Sequence, residues 1–160
     1  MREYRRLLAL VGLDRSGEAI VRRADTLARL SGAELILLHV IEPDNSSDGG
    51  YPSPSPGQIA ASYESEGLRR LRYLAAAQGA DADVCRTRYG ALSDSVQRFA
   101  ADWQPDLLIA DAANAARLGR GTWDVLVVQT AQRGHGGRRG LLDWLLGWAA
   151  PLQNSLRIRL

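Results

Sequence analysis

Few side chains of this chain could do covalent or metal chemistry. All 20 of its basic residues are arginine, so it has neither a lysine for a Schiff base nor the lysine of a P-loop. The single cysteine, Cys85, cannot form an internal disulfide and has no activating neighbour in the sequence. His39 falls in an apolar run typical of a buried strand, and His135 lies in a Gly/Arg-rich stretch without a second ligand. The sequence therefore predicts no catalytic residue and no metal site.

The first polar cluster comes where an apolar run ends. Residues 7–13 are apolar without alternation, which is typical of a strand buried on both faces. Asp14 follows, and Ser16 is predicted to be the N-cap of a helix over residues 18–30. A carboxylate at Asp14 would also be favoured by the dipole of that helix. Ser31 and Gly32 are expected to end it.

The elements that must position these residues alternate between strand and helix. Strands are predicted at residues 7–13, 35–41, 84–89, 106–110 and 124–128. Helices are predicted at residues 18–30 and 58–78, with a third capped by Ser93 and ended by Pro105. This order favours an α/β fold with one parallel sheet and helices on both faces. Only residues 111–123 separate the last two strands, enough for a short helix at most.

Length and composition narrow the class of protein. The chain has 160 residues, 46% hydrophobic and 24% charged, with a net charge of +2, which favours one globular domain. The apolar run near the amino terminus is too short for a signal peptide or a membrane span. The arginines form no continuous stripe that would indicate nucleic-acid binding. We expect a cytoplasmic protein.

The order of motifs resembles the universal stress protein (UspA-like) family. Four segments carry the resemblance over roughly residues 5–130: the first strand with Asp14 to Ser16, the helix–strand junction at residues 30–40, Arg88 to Gly90 before the third helix, and Pro105 to Ile109 in the fourth strand. The resemblance implies a Rossmann-like five-stranded sheet of order 3-2-1-4-5. It also implies a ligand cleft at the carboxyl ends of the first and fourth strands.

The same resemblance implies a set of site residues and partners. ATP or AMP would bind in the cleft, where Asp14 would contact the adenosine and Ser16 is a further candidate contact. Val40 and Ile41 would offer backbone groups to the adenine edge. A homodimer formed through the fifth strand is also implied, together with a role in the stress response.

The family's phosphate-binding signature, G-x2-G-x9-G-S/T, is missing after the fourth strand. The chain has Asp111 near the place where phosphate would lie, and a carboxylate there repels phosphate. A matching spacing occurs later, at Gly134, Gly137 and Gly147, with Trp148 in place of the Ser/Thr. We expect this segment to follow the fifth strand. In the alternative, residues 125–128 would be the strand before the loop, in a rearranged sheet where the loop still reaches the cleft.

Residues 131–160 are predicted to be distinct from the α/β domain of residues 1–130. They hold the Gly/Arg-rich segment and an apolar Leu/Trp tail. The tail is expected to pack on the domain or on a second subunit, rather than to bind a membrane surface as a basic helix with a Leu/Trp face can.

Three functions remain open. The first is a dimeric stress-response module whose adenine nucleotide binding is weak or lost, and which is not an enzyme. The alternative is a competent ATP- or AMP-binding protein that uses the displaced glycines, with slow ATPase activity as its only enzymatic version. A scaffold whose tail recruits a membrane or a partner protein is a third option.

Overall fold

The computed structural model describes residues 3–43 and 56–130. They form one parallel sheet of five strands, in the order β3-β2-β1-β4-β5, which confirms the predicted architecture. The strands are β1 (Arg6–Leu10), β2 (Glu34–Ile41), β3 (Cys85–Tyr89), β4 (Leu107–Asp111) and β5 (Asp124–Val128). The helices are α1 (Arg15–Ser31), α2 (Pro56–Ala77), α3 (Leu92–Trp103) and α4 (Ala112–Arg117), and a 3-10 turn covers Ala82–Val84.

The apolar runs of the sequence form the centre of the sheet. In β1, Leu7 pairs with Leu35 of β2 on one side and with Leu107 of β4 on the other. Residues 7–10 and 107–110 are buried, as strands covered on both faces must be.

Helices pack on both faces of this sheet and give it two apolar layers. Parallel neighbours joined by right-handed crossovers place α1 and α2 on one face and α3 and α4 on the other. The first layer is centred on Leu7, Ile20, Leu37, Leu71 and Ile109. The second layer is centred on Leu8, Leu38, Val96, Phe99 and Leu108. The central strands therefore cannot move without disturbing both layers.

The first helix begins at Arg15, three residues earlier than the sequence suggested. Its N-cap is Asp14, whose side chain accepts a hydrogen bond from the backbone N–H of Gly17, so the prediction of Ser16 as the cap was wrong. The predicted end is confirmed, because Gly32 is the C-cap with the left-handed φ of 66° that glycine adopts without steric strain.

The cap predicted for the third helix was also wrong. Ser93 lies inside α3, and the N-cap is Ala91, which has no side chain able to accept a hydrogen bond. The carboxylate of Glu42 accepts from the backbone N–H of Leu92 instead, at 3.2 Å. Glu42, 50 positions earlier in the chain, thus supplies the hydrogen-bond acceptor that the N-cap residue lacks.

The connection from β4 to β5 is short, as predicted, and α4 has only 6 residues. Because residues 124–128 form the edge strand β5 next to β4, the glycine-rich segment follows the fifth strand. The alternative of a rearranged sheet was therefore wrong. That segment and the Leu/Trp tail lie outside the described residues.

Candidate functional site

The strand order reverses at the carboxyl ends of β1 and β4. The chain leaves β1 to build β2 and β3 on one side, whereas β4 and β5 lie on the other. In open α/β sheets a crevice forms at such a switch point, and it is the usual place for a ligand. The loop between β1 and α1 and the junction between β4 and α4 border it here.

Asp14 projects from the loop after β1. Its Oδ1 accepts a hydrogen bond from the Ser16 hydroxyl at 2.7 Å and another from the backbone N–H of Gly17 at 3.0 Å. These two donors, first the Ser16 hydroxyl and then the Gly17 amide, hold the pKa of the Asp14 carboxyl below its usual value. Asp14 is therefore a fixed negative charge at neutral pH.

Asp111 faces this loop from the end of β4. Oδ1 of Asp111 accepts a hydrogen bond from the backbone N–H of Asn114 at 2.7 Å. Oδ2 of Asp111 accepts one from the side-chain amide of Asn114 at 3.3 Å. The Ser16 hydroxyl is 3.4 Å from Oδ2. Asp14, Ser16 and Asp111 thus meet at the switch point, and Asp111 is the acidic residue found in place of the phosphate loop.

Glu42 is a third carboxylate at this edge, just after β2. Besides the N–H of Leu92, it binds the guanidinium of Arg117 at the end of α4. The Arg117 guanidinium, more than any other group, lowers the pKa of Glu42. Because β1 lies between β2 and β4 in the sheet, this ion pair joins elements on the two sides of the switch point.

The three helices α1, α3 and α4 share one feature at this edge. A backbone N–H of the first turn of each donates to a carboxylate of the chain itself, namely Asp14, Glu42 and Asp111 respectively. Free N–H groups at a helix N-terminus are what bind a phosphate. One such donor at each of these helix ends is therefore already bound to a carboxylate of the chain.

Val40 and Ile41, expected to face an adenine, end the strand next to β1. The carbonyl of Ile41 accepts from the N–H of Gly90 at 3.0 Å on the β3 side. Successive residues of a parallel strand direct their backbone N–H and C=O groups to opposite neighbouring strands. The backbone groups of Val40 therefore point toward the β1 side, beyond the residue at which β1 ends. The adenine role of both residues stays a prediction.

His39 directly precedes Val40 in β2 and has a structural role. Its Nδ1 is 2.8 Å from the carbonyl oxygen of Val11, the residue at which β1 gives way to the loop. Burial is the main cause that lowers its pKa, so the ring is neutral at pH 7 and its Nδ1–H donates to Val11.

Sequence reasoning missed Glu42, Arg117 and Gly17 at this edge. Gly17 is buried, and a Cβ there would lie 1.7 Å from the carbonyl oxygen of Gly12. This close approach folds the Asp14 loop back on itself. A glycine three residues after Asp14 was the only available signal, since the Glu42–Arg117 pair depends on the tertiary structure.

The remaining predicted site residues, Gly134, Gly137 and Gly147, lie outside the described residues. Within residues 3–43 and 56–130 no three His, Cys, Asp or Glu side chains are grouped as metal ligands would be. In the same ranges no helix is long and apolar enough to cross a membrane. Burial raises the pKa of the Cys85 thiol to about 11.

Comparison with known proteins identifies the relatives of this chain. The family model described as the universal stress protein family matches residues 3–122. A search of curated proteins found no significant match.

Three solved structures illustrate the likeness. A universal stress protein in complex with cAMP is 24% identical, with a TM-score of 0.52 and coverage of 81% of this chain and 100% of that one. UspA from Lactobacillus plantarum is 17% identical, with a TM-score of 0.54 and the same coverage. A universal stress family protein from Burkholderia pseudomallei is 17% identical, with a TM-score of 0.52 and coverage of 74% and 89%. At these identities the structures support the fold.

Proposed function

Since this chain belongs to the universal stress protein family, we propose that it is a binding module of the stress response with weak or no affinity for adenine nucleotides. One observation carries the proposal. The carboxylate of Asp111 binds the backbone N–H of Asn114 in the first turn of α4, the kind of group that would otherwise bind a phosphate.

Electrostatics support this proposal. The fixed charge of Asp14 and the carboxylate of Asp111 share the Ser16 hydroxyl, so an incoming phosphate meets two like charges. Like-charge contacts in a partly desolvated site oppose binding. The penalty grows with ligand charge, and ATP is expected to bind more weakly than AMP. A structural neighbour is described in complex with cAMP, whose phosphate carries a single negative charge.

The module is proposed to act as a homodimer formed through β5. This strand is at the edge of the sheet, and Val125 and Val127 are 44% and 45% exposed on it. An edge strand with exposed β-branched side chains is a surface that proteins usually cover. A second copy of the chain would cover both the edge and the valines.

We further propose that the module is not an enzyme and works in the cytoplasm. Cys85 is buried with a raised pKa, so its thiol is a poor nucleophile. The ring of His39 is bound to the backbone of Val11. Neither group is placed to activate a water or a hydroxyl at the switch point.

Titration of the full chain with ATP and AMP in the presence of Mg²⁺, followed by calorimetry, tests the nucleotide proposal. We expect no saturable binding below about 1 mM, equivalent to less than about 4 kcal/mol of binding free energy. Micromolar binding would contradict it. In that case Gly137→Asp would show which site binds the nucleotide. If the variant no longer binds, the site is the displaced glycine segment; if it still binds, the site is the cleft.

Measurement of the molecular mass in solution by light scattering tests the homodimer. We expect the wild type to have twice the mass of the monomer and Val127→Lys to shift it to the monomer mass. Thr26→Lys, on an exposed position of α1, is the control and should leave the mass unchanged. A monomeric wild type, or a dimer that survives Val127→Lys, would refute the proposed interface.

A further inference from the structure

An open cavity lies at the surface on the opposite edge of the sheet, where the strands begin. Its volume is about 410 Å³, within the range of ligand pockets. The lining residues come from the starts of β1 and β4 and from the turn before β5: Arg5, Arg6, Gln104, Pro105, Asp106 and Thr122. Two guanidinium groups and one carboxylate give the lining a net positive charge. The proposed nucleotide cleft lies at the carboxyl edge, so the two sites are separate.

The backbone that carries the two arginines is held in place. Oδ2 of Asp106 accepts from the backbone N–H groups of Arg5 and Arg6 at 2.8 and 2.9 Å. The N–H of Asp106 donates in turn to the carbonyl of Arg6 at 2.9 Å. The backbone from which the two side chains extend is therefore set before any ligand arrives, which lowers part of the entropic cost of binding.

The two guanidinium groups differ in what they contact. Nη1 of Arg6 donates to the carbonyl of Trp103 at 3.0 Å, and its Nε is 3.7 Å from Glu34. The guanidinium of Arg5 has no hydrogen bond or ion pair within residues 3–43 and 56–130. An arginine side chain presents five N–H donors, and those of Arg5 remain available at the cavity.

Gln104 contributes a strained backbone to the same cavity. Its φ of 53° is the only positive value at a non-glycine residue among those described. It is the C-cap of α3, where glycine would be comfortable and where other residues are disfavoured. Strain of this kind persists mainly where a side chain has a use. Here it retains an amide group in the cavity lining that glycine would not have.

We propose that this cavity binds a small oxyanion, a phosphate or carboxylate group. The Arg5 guanidinium is the charge partner, because planar N–H donors match two oxygens of such a group. The side-chain amide of Gln104 and the hydroxyl of Thr122 are the neutral donors. Asp106 is engaged with two backbone amides and fixes the arginines rather than the ligand.

Titration of the full chain with sodium phosphate and with sodium acetate, at constant ionic strength, tests the proposal by thermal shift and NMR. We expect saturable binding of at least one anion to the wild type. The affinity should be about tenfold or more lower in Arg5→Gln, because this variant loses a charge-assisted pair. Arg72→Gln, at an exposed arginine of α2, is the control and should bind as the wild type does. Phosphate alone or acetate alone would identify the group.

Gln104→Gly separates a binding role from a structural one. Relief of the left-handed strain should raise Tm, whereas the loss of the amide should weaken anion binding. The proposal is overturned if neither anion binds saturably to the wild type, if Arg5→Gln binds as tightly as Arg72→Gln, or if Gln104→Gly binds as the wild type does. Circular dichroism of each variant confirms that it is folded.

Discussion

The hydroxyl oxygen of Ser16 lies 3.4 Å from a carboxylate oxygen of Asp111, although the two residues are 95 positions apart in the chain. Topology creates this relationship, because β1 and β4 are neighbours in the sheet and their carboxyl ends face the same crevice. The shorter hydrogen bond of the Ser16 hydroxyl is the one to Asp14, at 2.7 Å. The switch point therefore holds two carboxylates on either side of one hydroxyl.

Removing the charge of Asp111 should raise nucleotide affinity. Asn is as good an N-cap as Asp, so Asp111→Asn keeps the hydrogen bond to the Asn114 amide and removes one like charge from the phosphate position. We expect AMP to bind about fivefold to tenfold more tightly than to the wild type, which corresponds to about 1 kcal/mol. Calorimetry measures the change. Asp102→Asn, on an exposed residue of α3, should leave it unchanged, and equal affinities for the two variants would contradict the electrostatic account.

Four of the five strands could be read from the sequence because their apolar runs are continuous, whereas β3 alternates between apolar and polar residues. Residues 124–128 were predicted and found as β5 without change. In β1 and β4 burial on both faces leaves no alternation to confuse strand with helix. These elements are decided by local composition, which is why their order and the fold followed.

The caps and the polar contacts could not be read in the same way. Asp14 and Ser16 are both good N-cap types, and the choice between them depends on the close approach of Gly17 to the Gly12 carbonyl. Glu42 acts on Leu92, 50 positions later in the chain, so no local pattern could predict it. Asp111 could be identified as an acidic residue near the cleft, but its bonds to Asn114 depend on the short α4.

Asp14 makes the stability of the protein sensitive to acid. Its folded pKa lies below the ordinary value of about 3.9, because the Ser16 hydroxyl and the Gly17 amide bind the ionised form. At low pH the folded state therefore binds fewer protons than the unfolded state. The stabilisation is complete above the unfolded pKa and disappears as pH falls through the folded pKa.

Asp14→Asn should accordingly lower the free energy of unfolding at pH 7, and this loss should shrink as the pH falls below the unfolded pKa toward the lowered folded pKa. The loss at pH 7 is expected to be about 0.3–1 kcal/mol, the value of an exposed charge at a helix N-terminus. Urea unfolding at pH 7, 5 and 3 measures it. A difference between the variant and the wild type that stays constant over this range would show that the charge of Asp14 is not involved. Asp102→Asn is the control.

The loop that carries Asp14 depends on the missing side chain of Gly17. A Cβ at Gly17 would be 1.7 Å from the carbonyl oxygen of Gly12, so Gly17→Ala must move the backbone. We expect a loss of about 3 kcal/mol. Gly57→Ala is the matched control, since a Cβ at this helical position meets nothing within 4 Å. It should be neutral or stabilise by up to about 1 kcal/mol.

Glu42 should matter more than Arg117, although the two form one ion pair. The pair is exposed, with 50% and 39% of the Arg117 and Glu42 side chains accessible, so solvent screening makes its contribution to stability small. Glu42→Ala also leaves the N–H of Leu92 without its acceptor, in a helix whose N-cap is alanine. This adds about 1 kcal/mol, the usual effect of losing a cap.

A double-mutant cycle separates the two contributions of Glu42. Glu42→Ala, Arg117→Ala and the double variant are compared by urea unfolding in low salt and in about 1 M NaCl, where the Debye length is about 3 Å. The coupling energy should be small and should fall in salt, while the cap contribution should remain. Equal losses for the two single variants would show that the contact with Leu92 has no stabilising effect.

Cys85 should resist thiol reagents as long as the protein is folded. The side chain is 1% exposed and packs in the layer between the sheet and α2, and burial raises its pKa to about 11. At pH 8 only about one thiol in a thousand would then be ionised, against about one in four for an ordinary cysteine of pKa about 8.5. We expect a labelling rate more than about a hundredfold below that of Ala61→Cys, an exposed position of α2, in a Cys85→Ala background. Absorbance of a released thiol chromophore measures both rates. Fast labelling of native Cys85 would mean that β3, an edge strand of the sheet, opens far more readily than its packing indicates.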